Sequence, residues 1–158
     1  MTEQEQVKLK TECVIVDIDG TLANLDHRRH FVTGEKKDLD SFYKPELIAK
    51  DTVIEPVART VRALQTRWQI IYVTGRPERL REVTRKWLVF HRLWFFPYQL
   101  YMRPDGNFKP DTGAKSFIYD KILESGLKPF LAIDDRASVV SMWRSKGLVC
   151  LQCNEGDF

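Results

Sequence analysis

The sequence predicts an α/β domain built on a parallel sheet, and three observations carry that prediction. Five short apolar runs each close in a turn or a polar cluster. Patterns of helical period stand between most of them. The chain has 158 residues, 43% of them apolar, which suits one domain with one continuous core and no need of metal or disulfide staples.

The runs come in order. Residues 13–18, CVIVDI, read as a buried strand stopped by the Asp-Gly-Thr turn. Val57, Val61 and Leu64 then recur at helical spacing. Residues 69–73, QIIYV, are the second strand, closed by Thr-Gly-Arg-Pro. Leu80, Val83, Trp87 and Phe90 predict the next helical stripe. Residues 98–102, YQLYM, are the third strand, followed by the loop RPDGNFKPDTG. Lys115 is expected to open the helix after that loop, with Phe117, Ile118, Ile122 and Leu123 as its core stripe. Residues 129–133, PFLAI, are the fourth strand, ending in Asp-Asp-Arg. Val139, Val140 and Trp143 mark a last helix, and residues 148–151, LVCL, the fifth strand. Such alternation implies right-handed crossovers. Residues 22–50 break the pattern and read as an insertion after the first strand, a small cap over the site.

Charge and cysteine usage exclude more than they assign. Charged residues make up 30% of the chain and leave a formal net charge of +3, a weak bias toward anionic partners. Three cysteines, Cys13, Cys150 and Cys153, make no disulfide framework, and no second ligand pair completes a zinc site. They suggest a reducing compartment. The N-terminal MTEQEQVKLK has no apolar segment of a secretory signal, and no stretch approaches the length of a membrane span. A cytoplasmic protein with no membrane contact and no obligatory protein partner is expected.

In an open α/β sheet ligands gather at the carboxyl ends of the strands. Three strand ends carry polar signatures: Asp17, Asp19, Gly20 and Thr21; Thr74, Gly75 and Arg76; and Asp134, Asp135 and Arg136. Four carboxylates on one rim repel one another, which a hard divalent cation relieves, and oxygen-only ligands favour Mg2+. Asp17 and Asp19 stand two apart, so their side chains are expected on one side of a strand. One carboxylate can attack phosphorus and the other can protonate the leaving oxygen. Gly20 permits a sharp turn under a phosphate. Thr74 can bond a phosphoryl oxygen, and Lys115 can balance the nucleophile and the transferring group.

DIDGT, Thr74, Lys115 and IDDR resemble the four motifs of the haloacid dehalogenase superfamily. The resemblance implies a Rossmann-like core, a magnesium ion and an aspartyl-phosphate intermediate. It implies Asp17 as nucleophile and Asp19 as general acid/base. It implies a metal held by the Asp17 carboxylate, the Asp19 main-chain carbonyl and Asp134/Asp135, with Asp135 in direct contact and Asp134 acting through water or Lys115. VTRKWL at 83–88, AIDDR at 132–136, VVSMWRSKGLVC at 139–150 and the terminal GDF are similar to the phosphatase domain of phage polynucleotide kinase/phosphatase. That similarity implies Arg28 and Arg76 as substrate contacts, beside Gly20, Thr21 and Gly75. No Gly-x-x-x-x-Gly-Lys-Ser/Thr is present; GAKS at 113–116 has alanine before the lysine, so 5′-kinase activity is not expected.

Three functions follow. The first is a Mg2+-dependent phosphomonoesterase on nucleic-acid 3′ ends. The second is a nucleotidase on free mononucleotides. The third is an inactive nucleic-acid-binding module, against which the intact motif set speaks. A phosphomutase needs a larger cap to exclude water. Weaker features remain open. Arg79, Arg81, Arg85, Lys86 and Arg92 form either a nucleic-acid track or a solvated helix face. Phe31, Phe42 and Tyr43 either stack on a base or make the insertion's own core. His27, His30 and His91 read as surface or capping residues, and the four tryptophans as packing. RLWFFPYQL at 92–100 reads as a buried approach to a strand rather than an oligomer contact.

Overall fold

The computed structural model describes residue 2 and residues 11–156. The rest of the N-terminal segment and the last two residues of GDF, both used above, lie outside the described residues. β1 (Glu12–Val16) is followed by β2 (Ala23–Asn24), a short 3-10 turn at Arg29–Phe31, α1 (Leu39–Phe42), α2 (Pro45–Ile48) and β3 (Thr52–Val53). Then come α3 (Glu55–Leu64), β4 (Gln69–Pro77), α4 (Arg81–Phe90) and β5 (Gln99–Arg103). The chain closes with α5 (Asp111–Glu124), β6 (Lys128–Arg136), α6 (Ala137–Ser145) and β7 (Val149–Gly156). Five strands pair in the order β5-β4-β1-β6-β7, every pair parallel.

The central strands read as unbroken apolar runs because both faces are covered. Val14, Val16, Ile70 and Tyr72 face one core with Trp87 and Leu88 of α4. Cys13, Ile15, Ile71 and Val73 face the other, against Ile118 and Ile122 of α5 and Trp143 of α6. All three cysteines are free; burial pushes the Cys13 thiol up to about 12 and that of Cys150 up to about 11, so both pack as protonated thiols. No helix among the described residues is long and apolar enough to cross a membrane.

The insertion is stapled at its base. β2 and β3 pair antiparallel through Ala23 with Val53 and Asn24 with Thr52, and the Ile54 N–H donates to the Leu22 carbonyl at 2.7 Å. Between these ends, Leu25, Val32, Phe42 and Ile48 join the first core. Phe42 is therefore a core residue, while Phe31 and Tyr43 pack partly buried against it.

Several expectations need correction. β1 ends at Val16, so Asp17 and Asp19 lie on the turn beyond it and do not share a strand face. Lys115 stands one turn inside α5, not at its start. On that helix the buried stripe is Ala114, Lys115, Ile118, Tyr119 and Ile122; Phe117 and Leu123 fall about 100° off it and are exposed. On α4 the stripe runs through Thr84, Trp87 and Leu88, which leaves Phe90 81% exposed. In RLWFFPYQL, Leu93 is buried, but Phe96 and Tyr98 point outward around a cis Phe96–Pro97 bond. The basic residues of α4 are paired along the helix, Arg81 with Glu78 and Arg85 with Glu82, which favours the solvated-face reading.

Candidate active site

The three polar strand ends meet at one edge of the sheet and build two carboxylate clusters side by side. The first is centred on Asp17. Its N–H donates to the Ile133 carbonyl of β6 at 3.0 Å, which anchors the turn to the neighbouring strand. Lys115 Nζ donates to Asp17 Oδ1 at 2.8 Å and to Asp134 Oδ2 at 2.9 Å. The Thr21 hydroxyl donates to Asp17 Oδ2 at 2.8 Å and lies 3.5 Å from Asp135 Oδ1. Asp134 is saturated: its Oδ2 also accepts from Trp143 Nε1 at 3.1 Å, and its Oδ1 from the N–H groups of Asp135 and Arg136. Asp135 stands under the first turn. A Cβ on Gly20, at φ +82°, would lie 2.2 Å from Asp135 Oδ2, so glycine is required there.

Electrostatics follow from that packing. Burial raises the pKa of Asp17 well above the ordinary carboxylate value, and the charge of Asp134 raises it further against the pull of Lys115. Burial and Asp134 raise Asp135 likewise. Burial works against the charge of Lys115, but Asp134 and Asp17 outweigh it and hold the ammonium protonated. Ligand oxygens of Asp17, Asp134 and Asp135 lie within 4.8 Å of one another. Three buried carboxylates against one ammonium make an anionic excess, and this oxygen-only set fits a hard divalent cation.

The second cluster holds Asp19. Arg76 Nε bridges both Asp19 oxygens at 3.0 and 3.1 Å, its Nη2 also donates to Oδ1, and Arg28 Nη2 donates to Oδ1 at 3.0 Å. Behind them sits Asp51, wholly inside. It accepts from Arg28 Nε at 2.8 Å, Arg28 Nη2 at 2.7 Å and Arg76 Nη2 at 3.1 Å, with His27 Nε2 at 2.8 Å. Burial would raise the pKa of Asp19, but the two guanidiniums overcome it and hold the carboxyl at about 2. The Asp19 carboxylate is not part of the Asp17/Asp134/Asp135 triad.

The remaining expected residues frame these clusters. The Thr74 hydroxyl is fully buried and accepts from the Arg76 N–H at 3.2 Å. Gly75 lines the cavity, and a Cβ there would lie 2.3 Å from Asp111 Oδ1. The guanidiniums of Arg28 and Arg76 are buried behind Asp19, with Arg28 also over the Phe42 ring at 4.3 Å. His27 is not a bystander, because it completes the shell of Asp51.

Three polar residues were not foreseen. Asp51 stands alone in KDTV at the end of the insertion, and nothing in that string marks it. Asp111 lies four residues before Lys115 on the same helix face, a spacing that could have revealed it. Arg103, at the end of β5, donates to Asp111 Oδ1 at 2.7 Å and to the Gly75 carbonyl at 3.0 Å, while Arg136 Nη1 reaches Asp111 Oδ2 at 3.3 Å. Above them opens a cavity of about 850 Å3, lined by Asp17, Asp19, Tyr43, Arg103, Phe108 and Asp111 among others.

A parallel α/β sheet with an aspartate after its first strand, a buried lysine and an acidic pair at the carboxyl end of β6 defines a phosphatase of the haloacid dehalogenase class. Residues 11–158 match the family model described as the polynucleotide kinase PNKP phosphatase domain, and the chain belongs to that family. Among solved structures, a chain of a Pnkp1/Rnl/Hen1 complex is 27% identical with a TM-score of 0.79, the match covering 94% of this chain and 48% of that one. A chain of the Pnkp1/Rnl/Hen1 RNA repair complex is 28% identical with the same TM-score of 0.79, covering 94% and 44%. This chain thus spans about half the length of those it matches. A class C acid phosphatase from Bacillus anthracis with tungstate bound shares the fold at 12% identity and a TM-score of 0.66, over 94% of this chain and 68% of that one.

Proposed function

We propose that the protein is a magnesium-dependent polynucleotide 3′-phosphatase working through Asp17. The observation that carries the reading is the contrast at the cavity floor. A buried, anion-rich triad holds a nucleophile against Lys115, beside an Asp19 kept ionised by arginines. An Asp17 oxygen attacks phosphorus in line as the bond to the 3′ oxygen breaks, and the leaving oxygen takes a proton from Asp19. Water then attacks the phosphoryl group on Asp17, giving its proton to Asp19 and restoring the free carboxylate. Lys115 and Thr21 hold the Asp17 oxygens in place throughout.

With its carboxyl held at about 2, Asp19 is ionised in the free protein and carries no proton to give. An arriving phosphoryl group draws on Arg28 and Arg76 and loosens their hold, so that Asp19 takes up a proton from solvent, which it then gives to the leaving oxygen. This ties the expected substrate-contact role of Arg28 and Arg76 to their observed partner. Magnesium held by Asp17, Asp135 and the Asp19 carbonyl, with Asp134 behind, would supply positive charge to the phosphoryl oxygens.

The family match and a cavity of about 850 Å3 above the reacting groups favour a strand end over a free mononucleotide. The test is competition between a 3′-phosphorylated oligonucleotide and a panel of nucleoside monophosphates. The reading expects the oligonucleotide to win by at least about tenfold in kcat/KM, roughly 1.4 kcal/mol of transition-state preference. Equal or better use of the mononucleotides would move the protein to nucleotide metabolism.

A further inference from the structure

Phe108 is 91% exposed, the most exposed large apolar side chain among the described residues, and it stands at the rim of the cavity. An aromatic ring left in water costs the folded state burial it could have had elsewhere. The loop that carries it is held in place. The Asn107 N–H donates to the Pro104 carbonyl at 3.1 Å, and the Lys109 N–H donates to Asn107 Oδ1 at 3.0 Å. Arg103 Nη1 donates to the carbonyls of Asn107 and Lys109, one on each side of Phe108. The same arginine grips Asp111 at the cavity floor, so the loop backbone that bears the ring is tied to the site. Lys37, Arg79 and Lys109 share this rim. An aromatic platform among cations, beside a phosphatase centre, matches a nucleic-acid strand, whose bases stack and whose phosphates are anionic.

We propose that Phe108 is a base-stacking subsite that grips one of the last nucleotides leading to the 3′ phosphate. This rests on the polynucleotide reading above. It adds a specificity-determining residue outside the reacting centre, one that acts on binding and not on the chemical step. Stacking on one base is worth about 1–3 kcal/mol, so Phe108→Ala should raise KM for a 3′-phosphorylated oligonucleotide about 5- to 150-fold with kcat held. Phe108→Trp should keep the wild-type KM, and Phe108→Leu should not.

The experiment is steady-state phosphate release by wild type, Phe108→Ala and Phe108→Trp. The substrates are one 3′-phosphorylated oligonucleotide and three versions with an abasic residue at the last, second-last or third-last position. The expected result is that one abasic position raises the wild-type KM and abolishes the difference between wild type and Phe108→Ala. Equal KM for wild type and Phe108→Ala on the intact oligonucleotide, with turnover normal, would overturn the stacking subsite and leave the 3′-phosphatase reading standing. A difference that persists at every abasic position would also overturn it, by showing that the ring grips something other than a base. No release from any oligonucleotide by the wild type would bring down both readings together.

Discussion

Asp17 and Asp19 are two residues apart, yet they live in opposite electrostatic surroundings. Around Asp17, Asp134 and Asp135, three carboxylates share one ammonium, and burial drives Asp17 and Asp135 toward their neutral forms. Around Asp19 and Asp51, two carboxylates meet two guanidiniums in a closed set of ion pairs. Asp19 is held ionised at about 2 despite its burial. The first cluster has more carboxylates than cations and fits a divalent ion; the second is already balanced. The difference teaches how one turn can give two carboxylates opposite surroundings, which the proposed nucleophile and acid/base roles require. Two tryptophans tie these clusters to the two cores, Trp143 through Asp134 and Trp87 through the Asp51 carbonyl at 2.8 Å.

Breaking the balanced cluster should have the largest effect on stability. Asp51→Ala leaves two buried guanidiniums short of a partner and should cost about 3–5 kcal/mol in urea unfolding. Asp135→Asn, in the anion-rich cluster, should leave the metal-free protein within about 1 kcal/mol of wild type, because it removes a repelling charge. Similar losses for both variants would erase the contrast.

Magnesium should sharpen it. At a concentration a hundred times its Kd the ion should add about 2.7 kcal/mol to wild-type stability, read as a rise in Tm. Asp135→Asn should lose that rise, and Asp19→Asn should keep it, since the variant retains the main-chain carbonyl. Loss of the rise in Asp19→Asn alone would place the cation in the wrong cluster.

The smallest effect is on pH dependence without metal. Asp17 and Asp135 sit above the reference value of 3.8, so the stability they contribute is full below that pH and is lost as pH rises through their folded values. Asp19 runs the other way. Its contribution is present above 3.8 and is lost as pH falls toward about 2. Denaturation midpoints across pH should therefore fall on both flanks. Asp17→Asn should flatten the upper flank and Asp19→Asn the lower one.

The core of this arrangement was legible in the sequence wherever a residue followed an apolar strand. Asp17, Thr74 and Asp134 each mark a strand end, and a parallel sheet brings such ends together. Lys115 was legible as the lysine that follows the long loop, on a helix that returns to that edge. What escaped depended on contacts distant in sequence. Asp51 comes to Arg28 and Arg76 only because β2 and β3 close the insertion, and no local pattern encodes that closure. Phe117 and Phe90 were misread because hydrophobicity was taken for burial. On α5 the core face admits a charged lysine, since the carboxylates beneath it repay its desolvation, and the phenylalanine is left in solvent.

The most direct test is an acid quench of the enzyme during turnover of an oligonucleotide carrying a radiolabelled 3′ phosphate in magnesium, followed by peptide mapping. The account predicts label on the peptide containing Asp17, lost in EDTA and in Asp17→Asn together with phosphate release. Undiminished release by Asp17→Asn, or label on a different residue, would contradict it.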